Sequence, residues 1–314
     1  RTVESVCSEK HLARAGEPDR MIVFNPLPWE ASVDVGQGQL ARRVPPLGFA
    51  AIGEGDDRLA EAPFVDVEKE RHITKLVRGG LWVSVDTRTG RVLQIGGPEF
   101  DFVLDPAHPL LDFTMTRGGK PVVFEAAKVE VEEPEHDDPS VWITLASGQG
   151  DKISVEVRLA PDEEAVELAI ELENLSETAP PDGGMNAGLQ MAITPSFTTG
   201  RIFADTPYAI DEVQAPGVWK RKYPTGDWMT SPQWFEEVRR PFTSRGVVDL
   251  IDAKATRKGE RGLLIVHDSV LQWFRNEDRG VRCLLSAYDP WDEARHAVDG
   301  AVIRMRLYPH GPTT

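Results

Sequence analysis

The residues best suited to contact a ligand lie between Tyr208 and Arg240, where Trp219, Tyr223, Asp227, Trp228, Trp234, Arg239 and Arg240 fall in one weakly periodic stretch. Aromatic faces stack on the C–H faces of a sugar ring, while carboxylate and guanidinium groups give hydroxyls directional hydrogen bonds. Trp219, Tyr223, Asp227, Trp228, Trp234 and Arg240 are therefore the candidate carbohydrate-binding or interface residues. The same rings could instead form the small core that a long loop needs for itself.

Other chemistry has less to work with. The histidines, His11, His72, His108, His136, His267, His296 and His310, are widely separated, and no HxH, HxxxH or CxxC spacing is present. No metal site is expected in this chain. His267-Asp268, where a strand should end, reads as a cap or turn, as does His310. The run from Glu132 to Asp138 offers oxygen ligands without the loop grammar of a calcium site, so it reads as a solvated loop. Asn174-Leu175-Ser176 has the form of a glycosylation acceptor, which matters only in a secretory compartment.

Composition narrows the partners. The formal charge of −16 comes from 51 acidic against 35 basic residues. Such a surface repels phosphate backbones and anionic headgroups, so neither nucleic acid nor a membrane is an expected partner, whereas a neutral sugar is compatible. At 314 residues a chain buries about 75% of its unfolded surface and needs no staples. Cys7 and Cys283 lie at opposite ends, which is no disulfide framework, and Cys283 in its apolar run reads as a small core residue. Arg1 to Arg20 has no apolar stretch of the signal-peptide kind, and the opening on Arg1 is read as that of a fragment, with a cytoplasmic location expected.

The elements that would position these groups are strands. Ile153, Val155, Val157 and Leu159 alternate with Ser154, Glu156 and Arg158; after the turn Pro161 to Glu164, Val166, Leu168, Ile170 and Leu172 alternate with Glu167, Ala169, Glu171 and Glu173. This predicts a long hairpin with one wet, acidic face. Similar runs are Leu81 to Asp86, Arg91 to Ile95, Lys128 to Glu132, Val141 to Ala146, Arg261 to His267, Val281 to Tyr288 and Ala301 to Tyr308. Many short strands punctuated by Gly, Pro and Asp argue for an all-β sandwich. Helix is expected only around Ser8 to Ala15 and at Ser231 to Glu237, where Ser can cap and Pro fills the first turn.

Five landmarks run through this pattern. Val23-Phe24-Asn25-Pro26-Leu27-Pro28-Trp29-Glu30 is followed by Val44-Pro45-Pro46-Leu47-Gly48-Phe49. Next come Ile73 through Leu81-Trp82-Val83-Ser84-Val85-Asp86, a turn closing on Gly90, and Arg91 to Ile95. Then follow Val247-Val248-Asp249-Leu250-Ile251-Asp252 with Arg261-Gly262-Leu263-Leu264-Ile265-Val266-His267-Asp268, Cys283 to Pro290, and Arg306-Leu307-Tyr308-Pro309-His310-Gly311. In order and spacing these resemble the β-rich C-terminal half of glycoside hydrolase family 38, the α-mannosidases. Departures are Ile251-Asp252, the insertion-like stretch Ala253 to Glu260 and the Trp219 to Trp234 segment, which leave subfamily and substrate open.

The resemblance implies an all-β fold, a galactose-mutarotase-like super-sandwich preceded by a smaller β domain. The expected division is a tail over residues 1–20, a small β domain over 21–66 and the super-sandwich over 67–314. In the family a zinc ion and the catalytic carboxylates belong to an N-terminal domain, so the resemblance implies no catalytic residue, no metal ligand and no cofactor in this chain. Zinc is expected in the catalytic domain of the parent polypeptide, the implied partner together with carbohydrate. The aromatic segment could then help wall the parent's cleft. The rival readings are an aldose epimerase-like enzyme on a mutarotase fold, using a His acid and a carboxylate base, and a stand-alone carbohydrate-binding module. Alone, the fragment is expected to be inactive.

Overall fold

The computed structural model describes residues 20–25, 31–36, 39–45, 48–53, 56–61, 64–97, 103–117, 120–134, 138–161, 164–175, 188–205, 209–213, 242–254, 261–268, 270, 272–276, 279–287 and 300–311. Among them no helix occurs and the fold is all-β. The main division between two compact units falls between Pro63 and Phe64.

The first unit holds β1 (Arg20–Asn25), β2 (Ala31–Gly36), β3 (Gln39–Val44), β4 (Gly48–Gly53) and β5 (Leu59–Glu61), paired as a two-stranded sheet β1-β4 and a three-stranded sheet β2-β3-β5. Its core is Val23, Ala41, Val44, Ala50 and Ile52. The two halves of the opening landmark are brought together here. Asn25 lies opposite Gly48 and Phe24 opposite Phe49, with the two rings 4.6 Å apart.

The second unit begins with β6 (Asp66–Glu70), β7 (Ile73–Arg78), β8 (Leu81–Asp86) and β9 (Arg91–Gly96), a four-stranded antiparallel meander. Gly90 closes the β8–β9 turn at φ 64°. Only glycine enters that region freely, and a Cβ there would stand 2.8 Å from Ile143 Cγ2. There follow β10 (Phe113–Arg117), β11 (Lys120–Val122), β12 (Phe124–Glu132), β13 (Ser140–Ser147), β14 (Lys152–Leu159), β15 (Val166–Glu173), β16 (Gly188–Ile193), β17 (Thr199–Asp205) and β18 (Ile210–Glu212). The last are β19 (Phe242–Thr243), β20 (Val247–Asp252), β21 (Gly262–His267), β22 (Gln272–Arg275), β23 (Val281–Ala287) and β24 (Ala301–His310).

These build a nine-stranded sheet, β12-β13-β14-β15-β24-β21-β20-β17-β18, and a six-stranded sheet, β11-β10-β16-β23-β22-β19. One apolar core takes Val155, Leu168, Ile265 and Met305 from the larger sheet and Phe113, Met191, Trp273 and Cys283 from the smaller, which is the sandwich that the alternation predicts. Cys283 is fully buried, and burial pushes its thiol up to about 12, so it is an inert core residue.

The hairpin expected from alternation is β14–β15, with Leu159 opposite Val166. Its second face differs from the wet one expected. Ser154, Glu156, Arg158, Ala169 and Glu171 are half-buried and Glu167 is 6% exposed, because β13 and β24 flank the hairpin inside the large sheet. The buried strand charges there are paired: Arg158 and Arg306 reach Glu167 at 2.8 and 3.2 Å from opposite sides, and Lys152 reaches Glu173 at 2.7 Å. β12 begins at Phe124, earlier than the expected Lys128, since a bulge between Ala126 and Lys128 breaks the alternation that periodicity follows.

Candidate functional site

Trp219, Tyr223, Asp227, Trp228, Trp234 and Arg240 lie outside the described residues, as do the helix expected at Ser231 to Glu237 and the one around Ser8 to Ala15. Of the acidic run, Glu132 to Pro134 and Asp138 are described, and of the histidines His72, His108, His267 and His310. Among the described residues no three His, Cys, Asp or Glu side chains group so as to hold a metal ion. Two polar constellations do form, each around a histidine noted in the sequence.

The first sits on the outer face of the large sheet. Along β20, Val248 and Leu250 are fully buried in the core while Asp249 points the other way; along β24, Met305 and Leu307 point inward and His310 outward. The two strands are not neighbours, since β21 runs between them. His310 nevertheless reaches Asp249, Nε2 to Oδ1 at 2.9 Å, by lying across Gly262. A Cβ at residue 262 would come within 2.7 Å of that Nε2 and 2.4 Å of the Leu250 carbonyl oxygen. Two landmarks, the one running from Val247 to Asp268 and the one at Arg306 to Gly311, thus meet at Asp249, Gly262 and His310. The side chains keep 24% and 31% exposure, so the pair is a partly solvated link, where neutral or ionic pairing contributes about 1 kcal/mol or less.

A His and a carboxylate within bonding distance is also what an epimerase would require. That chemistry needs an acid and a base acting on opposite ends of a ring-opening step, with the substrate between them. Here the two groups occupy each other's contact. The arrangement is that of a cross-strand tie.

The second constellation is buried. Ser244, fully covered, places its Oγ 2.7 Å from Asp205 Oδ1 on β17, 2.8 Å from His267 Nε2 at the end of β21 and 2.9 Å from the Val247 carbonyl oxygen. Asp205 Oδ1 also accepts the backbone N–H of Arg245, Gly246 and Val247. Burial would raise the Asp205 carboxyl, but the Ser244 hydroxyl and those three amides outweigh it and hold it below the usual range. Asp205 is therefore ionised and takes the one hydroxyl proton as a charge-assisted bond. His267 must then donate Nε2–H to Oγ, which leaves its Nδ1 as an acceptor with no partner among the described residues.

This order is the reverse of an activated nucleophile, where the hydroxyl gives its proton to the imidazole and the carboxylate orients the ring. Burial pushes His267 down to about 4, against the smaller opposing influence of Asp205 and Asp268, and its ring packs 5.0 Å from Trp273. Residues Asp205, Ser244 and His267 lock the turn at 244–247 onto the ends of β17 and β21. His267 thus serves the turn role expected of it, and Asp268 accepts the Arg304 backbone N–H.

The fold and these two ties define an all-β sandwich protein with an internally bonded polar framework. No family model matches the chain, and no curated protein matches it. Among solved structures it is similar to a protein of glycosyl hydrolase family 38 from Enterococcus faecalis, with 11% identity over 94% of this chain and 39% of that one, at a TM-score of 0.47. It is also similar to the family GH36 α-galactosidase AgaA of Geobacillus stearothermophilus, with 10% identity over 79% and 41% of the two chains, at a TM-score of 0.37. The chain spans well under half the length of either. Likeness at these values defines neither a family nor an activity.

Proposed function

We propose that this chain is the C-terminal β region of a zinc-dependent, family 38 α-mannosidase-like glycoside hydrolase, a non-catalytic part that supports the catalytic domain and contacts glycan. The observation that carries the reading is the meeting of Asp249, Gly262 and His310, because two separately chosen landmarks converge on one tie, bonded at 2.9 Å between the His and the Asp. Residues that specify a shared architecture are expected to touch one another, whereas chance matches scatter. The opening landmark behaves alike, its two halves pairing through β1 and β4. The implied partners are an N-terminal catalytic domain holding the zinc, and carbohydrate; the implied setting is the cytoplasm, away from nucleic acid and membranes.

The test is expression of the whole reading frame that encodes this chain, assayed with 4-nitrophenyl α-mannoside. Zinc-dependent release by the whole product, abolished by a chelator and absent from the 314-residue chain, is the expected outcome. A reading frame that begins at this chain, or catalysed mutarotation of fresh α-glucose by the isolated chain in a polarimeter, would overturn it in favour of a stand-alone or epimerase reading.

A further inference from the structure

Along β13 the residues that face the core are Val141, Ile143 and Leu145, all buried, while Trp142 points the other way and keeps 38% exposure. Its register neighbours on the outer face of the large sheet are Glu130 on β12 and Glu156 on β14. Among the described residues no ring and no cation stacks on it. Trp82 is the contrast. It lies over Gly96, where a Cβ would come within 2.2 Å of its Cε2, and Lys75 Nζ stands 4.7 Å from its ring centre. The fold uses the surface of Trp82 and leaves part of the Trp142 ring in water.

Past Glu156 the row continues through Ala169 on β15 to Arg304 on β24, and the row beside it runs Thr144, Ser154, Glu171, Val302. Glu156 therefore faces a ring and a methyl group, and Glu171 faces a serine and Val302, itself 38% exposed. Among the described residues no ion pair or hydrogen bond engages either carboxylate. Ser154 bonds Glu173 instead, and Arg158, which attracts Glu156 from two residues along, bonds Glu167. Adjacent strands lie about 4.8 Å apart, so Trp142 and Val302 stand three strands and about 14 Å from each other, with two accepting carboxylates between them.

We propose that this open face binds a short neutral oligosaccharide, one ring stacked on Trp142 and the hydroxyls of the next donating to Glu156 and Glu171. A carboxylate only accepts, so the ligand must bring donors together with an apolar face for the indole, and a sugar ring carries both. Two unpaired acids repel an anionic ligand. A cation is not called for either, because Lys128, Lys152 and Arg158 already stand on this face, bonded to Glu130, Glu173 and Glu167. The spacing suits a chain of rings rather than one. This gives the proposed glycan contact a surface among the described residues, and it rests on that contact alone, not on zinc or mannosidase activity.

The experiment is calorimetric titration of the intact protein with mannotriose, maltotriose, cellotriose, the matching monosaccharides and trilysine. At least one trisaccharide is expected to bind saturably and more tightly than its monosaccharide. Trp142→Ala should weaken that Kd about tenfold, which is the loss of a stacked ring, and Glu156→Ala severalfold. Trp142→Tyr keeps a ring and should retain most of the affinity, which separates stacking from a general change in the sheet. Binding that survives Trp142→Ala overturns this face while leaving a glycan contact elsewhere. Binding of none of the trisaccharides overturns this face and the glycan contact together, and leaves the zinc-dependent assay of the whole reading frame untouched. Trilysine binding more tightly than every trisaccharide, and weakening with salt, overturns the proposal in favour of a cationic peptide.

Discussion

On the outer face of the nine-stranded sheet, Glu167 stands between Arg158 and Arg306, and Lys152 bonds Glu173. On the six-stranded sheet, Arg282 stands among neutral groups. Arg158, Arg306 and Arg282 are all half-buried in the same compact unit, so the difference is not one of the cations' depth. Where charges face each other across a ladder they complete one another and leave nothing for a ligand. On the smaller sheet, where no strand carries an acid, Arg282 is held by an amide and an aromatic ring instead.

The sharpest way to break this comparison is to remove the shared acid. Glu167→Ala removes a nearly buried acid that two arginines share and is expected to destabilise the fold by about 3 kcal/mol, the lower end of what breaking a buried pair costs, read from urea unfolding. A loss under about 1 kcal/mol would place this ladder with ordinary surface pairs.

Acid should act next most strongly, through the buried lock rather than the ladder. His267 in the folded chain sits near 4 against 6.5 when free, so between these values the unfolded chain binds the extra proton. Stability is therefore full above about pH 6.5 and falls with pH toward about 4, by roughly 2–3 kcal/mol for a shift of this size. His267→Phe, which keeps a ring against Trp273, should flatten that part of the pH profile of unfolding.

Gly262→Ala tests the cross-strand tie, since the new Cβ would meet the Leu250 carbonyl oxygen at 2.4 Å. Overpacking of this kind costs about 1–3 kcal/mol, read from urea unfolding. The smallest effect, and the one of opposite sign, belongs to Arg282→Met. It should leave stability unchanged or raise it by up to about 1 kcal/mol, because a cation held without an acid gives way to an apolar group of similar length.

Much of the scaffold was legible in the residues. Alternation placed β8 at Leu81–Asp86 and the β14–β15 turn at Pro161 to Glu164, because strand period and turn chemistry are local properties. The burial of Glu167 was not legible, since it depends on Arg306, 139 residues away, becoming a neighbour through β15–β24 pairing. The lock at Asp205, Ser244 and His267 has the same origin, with 39 and 23 residues between its members and no motif spacing. The tie at His310 had a trace in sequence, a glycine at the head of one landmark and a histidine in another. What was missing was the register that lays one across the other. Arg282 drew no notice because it reads as one polar position in an alternating strand, and only the neighbouring strands show that, among the described residues, an amide and a ring accompany it rather than an acid.

The central claim is that this chain completes a catalytic half encoded elsewhere in its own polypeptide. The most direct measurement is complementation: the upstream segment of the reading frame and the 314-residue chain are purified separately, mixed, and assayed with 4-nitrophenyl α-mannoside and zinc. The account predicts that the two co-purify and that mixing raises zinc-dependent release well above that of either part. An upstream segment that neither binds this chain nor gains activity from it would contradict the account.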